Sequence, residues 1–249
     1  MILGINSDNV SGIMRKQKLV SGNIYHVFNR GVEKRDVFIE DRDYLRFISD
    51  LGLFNDTKPA YNVGLKLKQS TIDSRNQYVS EKKLVDILAF CLMPNHFHLL
   101  LRQKEDDGIS KFMNKIGVGY TNYFNLKYKR VGPLFQGAFK AVLINEESQF
   151  LYIPYYIHLN PLDLKIPNWK ENGIKKPKIA FEFLDSYKWS SHRDYAGESS
   201  FMNILNPNPL NEFFVNPENY KKSFINFMKD FDFSGMDDLT IDSENQSNY

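Results

Sequence analysis

The chain has 249 residues, 42% of them hydrophobic, which is enough for a sizeable core and for one large domain with additions. A net charge of +2 conceals an asymmetry: residues 201–249 hold three lysines against eight acids, net −5, leaving +7 on residues 1–200. That basic body points toward a polyanionic partner. The single cysteine, Cys91, excludes a disulfide framework, Met1–Asn23 lacks a signal-peptide core, and the longest apolar run, Ile87–Met93, is far short of the roughly 20 residues a bilayer requires. The sequence reads as cytoplasmic, without a membrane span.

In chain order, a polar leader over residues 1–19 precedes Ile24–Phe28, whose β-branched and aromatic character ends at the turn signal Asn29-Arg30-Gly31 and predicts a strand. Residues 41–54 carry Tyr44, Leu45, Phe47, Ile48 and Leu51 at helical spacing. About 56–80 is poor in large apolar residues and reads as a surface insertion. Two apolar runs, 83–93 and 96–103, flank Pro94-Asn95 and predict a hairpin. A helix is expected over 109–128 despite Gly117 and Gly119, a strand over 137–144, and a helix over 146–160 ended by Pro161. This order, β-α-β-β-α-β plus one helix, predicts an α+β fold of the ferredoxin-like split type, an antiparallel sheet with two helices on one face. Residues 162–200 read as irregular connection, 201–235 as a peripheral extension with one or two helices, and 236–249 as an acidic disordered tail. The main domain is expected over 20–196, the extension over 197–235.

The most informative motif is His96-Phe97-His98 at the start of the second hairpin strand. Side chains alternate along a strand, so both imidazoles can converge on one cation while Phe97 and Leu99 face the core. An isolated His-x-His is more often a pair of ordinary strand histidines, so the weight of the motif comes from its company. That company is a series of ordered blocks: Asn29-Arg30-Gly31, Leu92–Leu101, Arg130-Val131-Gly132-Pro133-Leu134-Phe135-Gln136-Gly137, Tyr156-Ile157-His158-Leu159-Asn160-Pro161 and Trp189-Ser190-Ser191.

With these five blocks in order, the chain resembles the HUH single-tyrosine transposases, most closely the REP-associated tyrosine transposases, from about residue 20 to 196. The resemblance implies a metal-dependent enzyme that nicks and rejoins single-stranded DNA near hairpins. A tyrosine hydroxyl attacks a phosphodiester and becomes linked to the 5′ phosphate, leaving a free 3′ hydroxyl, and no nucleotide cofactor is needed. The nucleophile maps to Tyr156, with Tyr152 and Tyr155 as neighbouring rivals. Asn160, one helical turn on and on the same face, becomes the third metal ligand beside His96 and His98. Imidazoles favour zinc or manganese and magnesium prefers oxygen, while the resemblance implies Mg2+ or Mn2+.

An ordinary tyrosine pKa near 10 leaves Tyr156 mostly protonated at neutral pH, and the sequence names no general base for it. Pro154 removes a backbone donor, so a helix restart there is expected, which would place Tyr156 in a first turn favourable to phosphate. Lys127, Lys129 and Arg130, with Lys111, Lys115 and Lys140, are candidate DNA contacts. Ala138 stands where the family often carries arginine. His26 and His158 are read as structural, on other elements or faces. Two further readings compete with the active transposase: a domesticated hairpin-binding protein with weak or lost cleavage, and a metal hydrolase built on His-x-His, which five histidines in the whole chain support poorly. The hairpin sequence and the choice between monomer and homodimer stay open.

Overall fold

A computed structural model describes residues 18–59 and 82–230; the leader up to residue 17, nearly all of the expected insertion and the acidic tail lie outside the described residues. Four strands, β1 (Ile24–Arg30), β2 (Val85–Met93), β3 (His96–Gln103) and β4 (Lys140–Ile144), form one antiparallel sheet in the order β2-β3-β1-β4. Central β1 pairs with β3 from Ile24↔Arg102 to Arg30↔His96 and with β4 from Ile24↔Ile144 to Phe28↔Lys140. The Pro94-Asn95 turn closes the β2–β3 hairpin, with Met93 opposite His96. Helices α1 (Asp41–Leu53) and α2 (Gly108–Lys127) are the two crossovers, so the ferredoxin-like split arrangement holds. The last strand is shorter than predicted: residues 137–139 stay outside the sheet, where Gly137 takes a left-handed φ of 68°.

Period-two alternation divides the core into two layers. Phe97, Leu99 and Leu101 of β3 join Val27 of β1 with Phe47 and Leu51 of α1 and Phe112, Ile116 and Tyr120 of α2. Gly119 of α2 is explained by this packing, because a Cβ there would sit 2.5 Å from the ring of Phe54. The opposite face carries Leu100 of β3 and Ile144 of β4 against α3 (Glu147–Leu159), α5 (Pro177–Ser186) and α7 (Pro217–Asp230), through Ile153, Ile157, Phe181, Tyr220 and Phe224.

The expected irregular connection is instead built structure. It includes α4 (Trp169–Asn172), α5 and α6 (His192–Tyr195), and it buries Trp169, Leu184, Trp189 and Tyr195. Helices of four residues are too short to show a 3.6-residue period, which is why the sequence pattern concealed two of them. The same segment, together with Asn206 beyond it, covers the outer edge of β2. Leu92 donates to the carbonyl of Trp189, Ser191 to that of Phe90 and Asn206 to that of Ile87, and the Tyr195 hydroxyl donates to the Leu88 carbonyl. Every residue of β2 is therefore buried although it is an edge strand. Among the described residues, no helix is long and apolar enough to cross a membrane.

Candidate active site

The alternation that sends Phe97 into the first core layer turns His96 and His98 to the opposite face, where both are buried and their ring centroids lie 5.0 Å apart. The Asn95 amide oxygen sits 2.6 Å from His96 Nδ1 and ties that ring to the turn. A third imidazole joins them. Phe28 stands opposite His98 and His26 opposite Leu100, so His26 shares their face and its Nε2 lies 2.9 Å from His98 Nδ1. His26 is thus on another element, as expected, but on the same face as His96 and His98. The sequence signal was the same period-two rule applied to β1, which places Ile24, His26, Phe28 and Arg30 on one side.

Helix α3 lies across this face and lowers Tyr156 onto the histidines. The Tyr156 ring is edge-on to His26 and to His98, with both centroids 6.0 Å away. Asn160, directly after α3, donates from Nδ2 to the carbonyl of Tyr156 at 2.9 Å. Tyr155 turns away from them, stacking on Phe224 at 5.0 Å and touching Phe214, Tyr220 and Phe227. Tyr152, half-buried, has its pKa raised by burial and then by the charge of Glu146. Of the three rival tyrosines, Tyr156 is the one whose ring is described against the histidines.

The expected restart at Pro154 does not occur. α3 is one helix from Glu147 to Leu159 with Pro154 inside it, begun by a capping box between Glu146 and Gln149. Burial of Ile153 through Leu159 against the sheet and the C-terminal helices holds the helix together across the donor that proline lacks. Tyr156 thus lies in the last turns of α3, where the helix dipole is negative and offers a phosphate nothing.

Burial first, and then the charges of His26, His96, Lys170 and Arg30, push the His98 pKa well below its ordinary value, so the ring is neutral at neutral pH. Among the described residues its buried Nε2 has no hydrogen-bond partner. A neutral imidazole whose proton sits on the other nitrogen is the form that ligates a metal. Among the described residues, no three His, Cys, Asp or Glu side chains group as a metal site. Two cations that sequence reasoning missed also border the site. Arg30 is the cross-strand partner of His96, and the ammonium of Lys170 lies 5.9 Å from the centre of the Tyr156 ring.

The basic candidates scatter. Lys140 is opposite Phe28 on the histidine face of β4 and is exposed. Lys127 is engaged internally, bonding Asp43 at 2.5 Å and Glu40 at 2.7 Å. Burial alone would raise the Asp43 pKa, but hydrogen bonds from Lys127, Tyr128 and the amides of Ile39 and Glu40 outweigh it and hold the carboxyl below 3.8. Lys115 donates to the carbonyls of Asp56 and Lys58, and Lys111 to that of Asp106. Arg130 is held by Asn125 over the ring of Phe124, while Lys129 is exposed with a φ of 51°. Ala138 is exposed just ahead of β4.

Residues 65–160 match the family model described as "Transposase IS200 like". The match covers less than half of the chain and spans β2, the His-x-His strand, α2, β4 and α3, and it bears out the transposase likeness read from the sequence motifs. Among solved structures, the chain is similar to a REP-associated tyrosine transposase bound to a REP hairpin, at 13% identity over 78% of this chain and 91% of that one, with a TM-score of 0.44. No curated protein matches the chain.

Proposed function

We propose that this protein cleaves and rejoins single-stranded DNA near hairpins, with Tyr156 as the nucleophile. The observation that carries the reading is the convergence of Tyr156, His98 and His96 on one buried face, within the segment that matches the transposase family. The Tyr156 oxygen forms a bond to phosphorus as the bond from phosphorus to the 3′ oxygen breaks. The phenolic proton passes to solvent, and the 3′ oxygen takes a proton to become a hydroxyl. Attack of a 3′ hydroxyl on the phosphotyrosine reverses these changes and joins strands without ATP.

His96, His98 and Asn160 would hold Mg2+ or Mn2+, which supplies Lewis-acid polarisation of the scissile phosphate. The chain's own groups do the rest. Lys170 and Arg30 place positive charge beside the ring and the histidines, offsetting charge that develops on the phenolate and the phosphate oxygens. Lys140 extends that charge along the same face of the sheet. Tyr156 and His98 are 1% and 0% exposed, so DNA reaches them only after their cover moves, and the stretch carrying Lys170 lies directly against the Tyr156 ring.

The test is incubation with labelled single strands from the gene's own flanks, with Mn2+ or Mg2+, followed by a denaturing gel. A protein–DNA adduct that disappears with Tyr156→Phe and with chelator is the expected result; an adduct persisting in Tyr156→Phe would refute the nucleophile. Ala138, in place of the arginine usual in the resembled family, favours a second reading, a hairpin-binding protein with weak or lost cleavage. Metal-independent hairpin binding without any adduct would select it.

A further inference from the structure

We propose that His26 is a positioning residue that sets the tautomer of His98, accepting the Nδ1–H of that ring and leaving its Nε2 lone pair bare toward a divalent metal. The inference rests on the metal reading above and adds a residue to it. Two imidazole nitrogens 2.9 Å apart share a single proton, so the contact has two orientations. If His26 donates, His98 carries its proton on Nε2. That puts an N–H where a metal would need a lone pair. If His98 donates, its Nε2 is a bare acceptor that a cation satisfies outright, and neutral His26 carries its own proton on Nδ1.

A metal bound at Nε2 requires this second arrangement, and the position of His26 is compatible with it. His26 approaches His98 at Nδ1, on the far side of the ring from Nε2, with the ring planes within 17° of parallel and centroids 5.0 Å apart. His26 therefore stands behind the ligand rather than beside it. Phe28 packs on both rings, at 5.0 Å from His26 and 5.9 Å from His98. His26 itself is fully buried on β1, an interior strand paired on both sides, so its position is fixed by the sheet. A ligand imidazole oriented by a hydrogen bond on its second nitrogen is the usual means of fixing tautomer and basicity at a metal.

The experiment is long-range 1H–15N correlation spectroscopy of the full chain labelled at histidine, for wild type, His26→Leu and His26→Gln. Mn2+ affinity is measured in parallel by calorimetry, and folding by circular dichroism. Wild-type His98 is expected to be protonated at Nδ1. His26→Leu should lose that preference and bind Mn2+ at least about tenfold more weakly, while His26→Gln, whose amide oxygen can accept, should stay within about threefold of wild type. Protonation of wild-type His98 at Nε2 overturns the proposal, as does a folded His26→Leu with unchanged tautomer and affinity. If the leucine variant does not fold, the wild-type spectrum and the glutamine variant still decide. Wild type that binds no Mn2+ overturns the metal reading instead, and the tautomer measurement then judges the His26 assignment separately.

Discussion

The two clusters of buried histidines on this face of the sheet differ in how their ring nitrogens are used. Around His158 and His192 each nitrogen is satisfied within the fold. The Tyr220 hydroxyl lies 2.8 Å from Nδ1 of both rings, Ser191 Oγ 2.8 Å from His158 Nε2, and Asp185 3.0 Å from His192 Nε2. Around His98, burial and aromatic neighbours are equivalent, yet among the described residues Nε2 has no protein partner. Burial and ring contacts therefore do not separate the two clusters. Saturation of the ring nitrogens does.

The sharpest way to break this contrast is to remove one hydroxyl from each cluster. Tyr156→Phe is expected to lower adduct formation by more than about 10³-fold while thermal unfolding stays within a few degrees. Tyr220→Phe removes the hydroxyl shared by His158 and His192 and should cost about 2 kcal/mol in urea unfolding with adduct yield per folded molecule unchanged. A Tyr220→Phe protein that is fully stable but inactive would invert the assignment.

The histidine pair should separate less steeply. His98→Gln is expected to abolish Mn2+-supported cleavage at a stability cost of about 1–2 kcal/mol. His158→Ala leaves Ser191 and Tyr220 short of partners and should cost about 2–4 kcal/mol with activity preserved at low temperature. Titration sharpens the contrast further. Burial first holds His158 well below its ordinary pKa, with the charge of His192 adding to it; burial likewise lowers His192, although Asp185 opposes it. The unfolded chain then binds protons that the folded one refuses. The contribution of these two rings is full above about pH 6.5 and declines as pH falls below it, by at most about 1.4 kcal/mol per pH unit for each ring, while the carboxyls of Asp50 and Asp194, pushed up by burial to about 7 and about 6, act in the opposite sense over the same range. The difference in melting temperature between wild type and His158→Ala across pH 8 to 5 checks this, and a pH-independent difference would contradict it. The smallest effect is expected from Asp185→Asn, which keeps an acceptor for His192 at a partly exposed position and should change stability by less than about 1 kcal/mol.

Much of the site was readable because it depends on short periods. The two-residue repeat of β3 placed His96 and His98 together, and the four-residue spacing in α3 aligned Tyr156 with Asn160. What could not be read was anything set by register between distant segments. His26 and His98 are 72 positions apart, and only the pairing of β1 with β3 brings their rings into contact. Lys170 was missed because it rides on a four-residue helix whose place is fixed by the buried Trp169. The restart at Pro154 failed because a proline's local cost was weighed without the tertiary contacts that overrode it. Trp189-Ser190-Ser191 was recognisable as a block, but its work is strand pairing on Phe90 and Leu92, which no local pattern announces. The C-terminal helix carried a readable stripe, Tyr220, Phe224 and Met228, although not the knowledge that it completes the second core layer.

The covered edge of β2 also bears on how the chain leaves the ribosome. The hairpin with its two histidines emerges about a hundred residues before Ser190, Ser191 and Asn206, which finally occupy that edge. During that interval a nine-residue apolar strand has one row of amides and carbonyls without its native cover. The segment that seals it is also the one that packs behind α3. Closure of that edge awaits residues 189–206, so a nascent chain cannot complete the sheet in its native form before that segment has been made.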